Sequence, residues 1–299
     1  MQILITGGTG LIGKQLICRL GNQHQFTVLT RSTSKARQQL PDTGNITLID
    51  NLDALDNFNE FDVIINLAGE PIADKRWTSQ QKYQICQSRW QLTTALVSKI
   101  NASSTPPHTF ISGSAIGYYG RQGDKVVTEE NTEPHNEFTH EVCERWEKIA
   151  ETVQQTCRVC LLRTGVVLAA EGGALAKMRL PFKLGLGGPI GSGEQYMSWI
   201  HLDDMVNAIE FLLTHPECAG PFNLTAPQPV TNHEFVKAFG NALGRPAIMP
   251  MPGFALKLIM GEAADMLLTG QRVIPQKLQG AGFTFKFDSI QSAFADTEG

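Results

Sequence analysis

The chain has 299 residues, enough for roughly two domains of ~150 residues or one large α/β unit. Hydrophobic residues make up 42% and charged residues 18%, with 28 glycines and 15 prolines, which excludes disordered, collagen-like and coiled-coil classes. A net charge of −4 and a pI near 6.0 give none of the strongly basic footprint of a nucleic-acid binder.

Apolar runs at residues 2–6, 27–30, 46–49, 63–67, 109–112 and 159–163, each closed by a polar or small residue, predict strands. Helical periodicity fills the intervals at 11–20, 77–100 and 141–155, where Trp146, Ile149 and Val153 share one stripe. This alternation predicts a doubly wound α/β (Rossmann) domain over 1–165, with a strand near 221–225 that can return to it. Beyond Arg163 the glycines cluster and the pattern loosens, so residues 166–299 are expected to form a smaller substrate lobe with a separate α/β module from about 227. Six cysteines are too few for a secreted disulfide scaffold. Cys157 and Cys160 sit in a strand-like stretch and read as core thiols. Met1-Gln2 runs straight into Ile3-Leu4-Ile5 without the basic opening of a signal peptide, and no run of 18 apolar residues occurs, so a cytoplasmic location without membrane contact is expected.

The strongest motif is Ile3-Leu4-Ile5-Thr6-Gly7-Gly8-Thr9-Gly10-Leu11-Ile12-Gly13, a strand, three spaced glycines and a helix. One glycine permits the turn, one lets backbone N–H groups approach a diphosphate, and one lets helix and strand pack closely, while the helix N-terminus faces the anion. Gly8 to Lys14 also matches the start of a nucleoside-triphosphate loop. That reading fails at Gln15, where a magnesium-binding Ser or Thr belongs, and at Asn66, where an Asp belongs. After the second strand stand Thr30 and Arg31, and no Asp or Glu occurs between Gly13 and Pro41. A carboxylate there would accept from a ribose 2′-hydroxyl, whereas an arginine pairs with a 2′-phosphate, so NADP is the expected cofactor. Charge-assisted bonds of this kind are worth about 1.5 to 3 kcal/mol each.

With this loop, Asn66-Leu67-Ala68-Gly69 and Ser112-Gly113-Ser114-Ala115-Ile116-Gly117-Tyr118-Tyr119-Gly120, the chain resembles the extended short-chain dehydrogenase/reductases, the NAD(P)-dependent epimerase/dehydratase family, over its whole length. Ser88-Arg89-Trp90, the run from Leu162 to Leu168 and Trp199-Ile200-His201-Leu202-Asp203-Asp204 resemble an atypical, sugar-nucleotide-epimerase-like branch. The resemblance implies that Gly7, Gly10, Leu11, Ile12 and Gly13 hold the diphosphate. It places Leu67, Ala68 and Gly69 against the adenosine, Arg89 at the side of the cofactor, and Val166 and Val167 near the nicotinamide. It also implies hydride exchange with a small-molecule substrate.

The family's Tyr-x-x-x-Lys pair is missing: the residues four after Tyr83, Tyr118, Tyr119 and Tyr196 are Gln87, Gln122, Gly123 and Ile200. Alignment on Trp146-Glu147 puts Phe138 or Thr139 at the tyrosine position and Cys143 at the lysine position. Ser114 falls at the catalytic serine position, and Tyr118, Tyr119, His140 and His201 are the substitute acid/base candidates, the two tyrosines being nearest the expected nicotinamide. His201-Leu202-Asp203-Asp204 also reads as a helix start, with carboxylates offsetting unpaired N–H groups. The five glycines between Gly185 and Gly193, preceded by Lys177, Arg179 and Lys183, are expected to favour an anionic substrate, a nucleotide-linked sugar being one form. The rival expectation is a non-catalytic, regulatory NADPH-binding protein.

Overall fold

A computed structural model describes residues 1–131 and 133–299. Its centre is a seven-stranded parallel sheet ordered β11-β7-β5-β4-β1-β2-β3. The strands are β1 (Gln2–Thr6), β2 (Gln25–Leu29), β3 (Ile46–Ile49), β4 (Val63–Asn66), β5 (Thr109–Ala115), β7 (Arg158–Thr164) and β11 (Gly220–Leu224). Short strands lie outside it: β6 (Val126–Val127), β8 (Val166–Leu168), β9 (Tyr196–Met197), β10 (Trp199–His201), β12 (Val230–Thr231) and β13 (Arg272–Val273). The larger helices are α1 (Leu11–Leu20), α2 (Thr33–Gln39), α3 (Ser79–Asn101), α4 (Phe138–Glu151), α5 (Gly173–Lys183), α6 (Leu202–Thr214), α7 (Asn232–Ala242), α8 (Gly253–Met260) and α11 (Ile290–Glu298). Two short ones are α9 (Asp265–Leu268) and α10 (Gln276–Gly280).

Strands buried on both faces read as continuous apolar runs, as the parallel arrangement requires. Ile3 and Ile5 face one core with Leu16, Ile17 and Ile209, while Leu4 and Ile64 face the other with Leu96 and Phe110. The chain lays down β1, β2 and β3 in one direction and then crosses back to β4. Strand order therefore reverses between β1 and β4, and a crevice opens beyond their carboxyl ends.

Strand β11, where a strand returning to the first domain was expected, is the edge strand of the main sheet, and with helix α6 it completes the core: Met205, Ile209, Phe222 and Leu224 are fully buried there. The segment from Pro227 spans β12, β13 and α7 to α11. It is mainly helical, and its β12 is two residues paired antiparallel with β9. Its phenylalanines Phe235, Phe239 and Phe294 share a core with Leu175, Phe182 and Trp199, while Leu278 and Phe283 join the main core. The thiols of Cys157 and Cys160 are buried in the core, and burial pushes both up to about 11. No helix among the described residues is long and apolar enough to cross a membrane.

Candidate active site

The glycine loop joins β1 to α1 at the crevice. Gly7 has φ +71, and a Cβ there would lie 2.7 Å from the Leu67 carbonyl carbon and 2.8 Å from Ala68 N. Only glycine permits both the turn and this approach of the loop to the end of β4. At Gly13 a Cβ would come within 2.4 Å of Gly7 O, so the third glycine is what seats the helix on the loop. Gly10 N donates to Gly7 O (2.9 Å), and a Cβ on Gly10 would meet only that oxygen at 3.2 Å. Gly10 caps α1 without a side-chain bond, and no acidic residue occupies the first turn. The N-terminal amides and the positive end of the helix dipole are thus free of a side-chain cap, a donor set that suits a diphosphate.

The other expected binding residues gather around this loop. Leu67 and Ala68 follow β4, and Ala68 N donates to Thr6 Oγ1 (3.2 Å), which itself donates to Asn66 Oδ1 (2.7 Å). Asn66 Nδ2 and Trp146 Nε1 both donate to Thr93 Oγ1 (2.9 Å each), so buried polar bonds fix the ends of β1 and β4 from below. Gly69 is exposed and lies on the Arg89 guanidinium, whose carbon a Cβ would approach to 2.8 Å. Arg89 Nη1 donates to Glu70 O and Ile85 O (3.0 Å each), and its guanidinium packs 5.3 Å from the Trp146 ring. Thr30 is half-buried at the end of β2, while Arg31 is exposed and joins no ion pair among the described residues. Ile12, Leu67 and Val167 pack against the main core, Val166 packs against the core of Trp199, Phe235 and Phe239, and Leu11 lies under Gly172 and Gly173. A cavity of about 340 Å³ opens beside the loop, lined by Thr9, Gly10 and Leu11 with Ala169, Ala170 and His201.

Around Ser114 the structure builds a buried polar chain that reaches across four elements. Ser114 Oγ donates to Glu147 Oε1 (2.6 Å). Arg163 grips the same carboxylate with two bonds, Nε to Oε1 (2.9 Å) and Nη2 to Oε2 (2.8 Å). Its Nη1 donates to Tyr119 Oη (3.0 Å), which donates to Asn223 Oδ1 (2.7 Å). Asn223 N in turn donates to Glu129 Oε1 (2.9 Å), and burial raises the Glu129 carboxyl. Burial, opposed by the Arg163 charge, pushes the Tyr119 phenol up to about 12. Tyr119, expected beside the reacting carbon, is therefore turned into the interior with its hydroxyl engaged on both sides.

Tyr118 is half-buried next to it, its ring centroid 3.5 Å from the Arg163 guanidinium carbon and 5.5 Å from the His140 ring. His140 Nδ1 lies 2.5 Å from Tyr118 O. Cys143 is buried, and desolvation, with Glu147 beside it, pushes its thiol up to about 12.

Glu147, Arg163 and Asn223 were missed as site residues. A signal was present: Arg163 ends an otherwise apolar run, Val159-Cys160-Leu161-Leu162, and a charge inside such a strand requires a buried acid.

The packing gives partners to three groups singled out in the sequence. Lys177 pairs with Asp74 and Arg179 pairs with Glu298 through two nitrogens, so both cations are already engaged. Three of the five glycine amides have backbone acceptors, Gly185 N on Phe182 O (2.9 Å), Gly191 N on Met251 O (2.9 Å) and Gly193 N on Ile190 O (3.0 Å), and a Cβ on Gly188 would strike Met249 O at 2.2 Å. These glycines let one backbone lie against another. The run from His201 does start α6: His201 Nδ1 accepts from Asp203 N (3.1 Å), Asp203 and Asp204 stand in the first turn, and the Asp204 carboxylate also accepts from Lys286 N (2.8 Å) and Phe287 N (2.9 Å).

Comparison with known proteins agrees with this architecture. The model of the NAD dependent epimerase/dehydratase family matches residues 3–224, and a model described only as a domain of unknown function matches residues 251–297. The chain is 41% identical over 298 residues to the chloroplastic epimerase family protein SDR39U1 homolog of Arabidopsis thaliana, covering 98% of this chain and 85% of that one. An epimerase family protein of Mycobacterium leprae is 39% identical, with 98% and 94% covered. The crystal structure of the human epimerase family protein SDR39U1 with NADPH superposes with a TM-score of 0.91 at 33% identity, covering 100% of this chain and 99% of that one. The chain belongs to the NAD dependent epimerase/dehydratase family.

Proposed function

We propose that the crevice takes NADP(H) and that the protein exchanges a hydride with a carbinol or carbonyl carbon of a small-molecule substrate. The observation that carries the cofactor reading is the uncapped start of α1 behind Gly7, Gly10 and Gly13, with exposed Arg31 at the end of the neighbouring strand and no Asp or Glu in the sequence between Gly13 and Pro41. In this reading Leu11 and Ile12 present amides to the diphosphate, and Thr30 and Arg31 hold the 2′-phosphate. Leu67, Ala68 and Gly69 face the adenosine, Arg89 braces Gly69, and Val166 and Val167 border the nicotinamide. The human relative with NADPH supports it.

When bound, the dinucleotide supplies the hydride donor or acceptor. The chain's own residues position the substrate and move the proton. The Ser114 hydroxyl donates its hydrogen bond to Glu147, so it offers a substrate only lone pairs and accepts from a hydroxyl. Tyr118 is the proton-moving group of this reading, since Tyr119 is committed to Arg163 and Asn223. Elements of 166–299 outside α6 and β11 contribute the substrate contacts.

A second reading, a non-catalytic NADPH-binding regulator, is supported by Cys143, whose buried thiol stands where the family's lysine would be. Titration of NADPH and NADH separates the cofactor claim: Arg31→Ala should erase a preference of roughly 10- to 150-fold for NADPH. Equal affinities in the unaltered protein reject it. Nicotinamide absorbance during addition of pooled ketones, aldehydes and sugar nucleotides then separates enzyme from regulator.

A further inference from the structure

The carboxylate that selects between the two nicotinamide cofactors ordinarily leaves the end of the second strand, and this chain has none there, since no Asp or Glu occurs between Gly13 and Pro41. The fold brings one to the same end of the sheet from β4. Strands β2 and β4 flank β1 in register, Leu29 and Asn66 both pairing with Thr6, so their carboxyl ends stand two strand spacings apart, about 10 Å. Arg31 lies two residues past the end of β2, and Glu70 lies four past the end of β4.

Helix α3 fixes Glu70 in place. Glu70 N donates to Ser88 Oγ (2.9 Å), and its carbonyl accepts from Arg89 Nη1 (3.0 Å). Its Oε1 accepts from Gln81 Nε2 (3.4 Å) on the same helix and from Lys75 Nζ (3.0 Å). Oε2 accepts no bond among the described residues, and the side chain is 19% exposed. The bonds from Lys75 and Gln81, with the charges of Lys75 and Arg31 behind them, outweigh desolvation and hold this carboxyl below its ordinary value, so it is an anion at neutral pH. Arg31 thus stands in the field of a fixed anion without forming an ion pair with it.

We propose that Glu70 is a specificity-determining residue of the cofactor site: its carboxylate opposes the 2′-phosphate that Arg31 attracts, and offers a ribose 2′-hydroxyl the acceptor that the end of β2 lacks. The inference rests on the cofactor reading above. The preference for NADPH is then a difference between an attraction from β2 and a repulsion from β4. Lys75 engages only Oε1 and is itself 61% exposed, so it weakens the repulsion without cancelling it.

Fluorescence titration of NADPH and NADH into the full chain, at ~20 mM and ~500 mM ionic strength, tests this. At low salt Glu70→Gln keeps the size of the side chain and an acceptor for Lys75 and Gln81. It should raise NADPH affinity by ~3- to 10-fold, the effect of removing one like charge at one to two strand spacings in a water-like medium, and leave NADH affinity unchanged or lower. At high salt, where the Debye length falls to ~4 Å, the gain should shrink below ~2-fold. Lys75→Met uncovers the carboxylate and should lower NADPH affinity by ~2- to 5-fold. The inference is overturned if Glu70→Gln lowers NADPH affinity or leaves it unchanged, raises both dinucleotides alike, or keeps its gain in high salt, and equally if Lys75→Met gives a gain or no change. Arg31→Ala tells the two readings apart. If it removes the NADPH preference while Glu70→Gln does nothing, the cofactor reading stands and this inference falls; if the unaltered protein binds both dinucleotides equally, both fall.

Discussion

Replacing Glu147 by alanine tests whether the buried chain around Ser114 is held by its central ion pair. Glu147 is 3% exposed and Arg163 4%, and the carboxylate accepts three bonds, two from Arg163 and one from Ser114. Removing it leaves a guanidinium in the interior with one remaining hydrogen bond, to Tyr119 Oη, and the Tyr118 face for its charge. Losing one partner of a buried pair costs about 3–5 kcal/mol. The stranded Ser114 hydroxyl adds ~1 kcal/mol or more, and the Tyr118 ring offsets up to ~2 kcal/mol by cation–π attraction. A net loss of about 2–4 kcal/mol follows, equivalent to a fall of roughly 3–6 °C in Tm for a chain of this size. Urea unfolding followed by far-ultraviolet circular dichroism measures it. The paired substitution Glu147→Leu/Arg163→Met removes both charges and should recover at least half of the loss. A cost below ~1 kcal/mol for Glu147→Ala, or single losses that simply add in the double variant, would refute the reasoning.

Other consequences follow from the same geometry. Gly13→Ala drives a Cβ to 2.4 Å from Gly7 O, so the loop must shift; NADPH affinity should fall by ~10-fold or more in fluorescence titration, and an unchanged affinity would remove the loop from the binding site. Tyr118→Phe should abolish any turnover found with little change in stability, whereas Tyr119→Phe should chiefly lower Tm because Arg163 and Asn223 each lose a partner; the reverse pattern would exchange their roles. Burial holds His201 below its usual 6.5, against the opposing pull of Asp296, Asp203 and Asp204. The unfolded chain then binds the proton more readily, so His201 contributes stability that is present above 6.5 and is lost as pH falls below it toward the folded value. His201→Asn keeps the cap on Asp203 N and should flatten that part of the Tm-against-pH curve; an unchanged slope would assign it to another group.

Elements with strong local patterns were legible in the sequence. Strands β1, β3 and β4 and helix α1 stand within a residue of the apolar runs that announce them, because alternation and helical spacing are properties of neighbours along the chain. Helix α4 begins at Phe138, three residues before the expected start at 141, and ends at Glu151 while the apolar stripe continues to Val153, which is buried beyond the helix. Boundaries are set by which backbone groups find partners, and the stripe records only burial. At Gly188 a related point holds: glycine marks close approach of a backbone, whatever approaches it, and here the neighbour is Met249.

The amino-acid sequence by itself determined the strand–glycine–helix turn, the basic end of β2 and the absence of a Tyr-x-x-x-Lys pair, since each is written in residues a few positions apart. Tertiary structure alone decided that Ser114 meets Glu147 across 33 residues, that Tyr119 meets Asn223 across 104, and that Asp204 ties down the backbone at Lys286 and Phe287. A buried polar group accepts whichever partner the packed elements bring to it, and that choice depends on how sheet and helices close around the core.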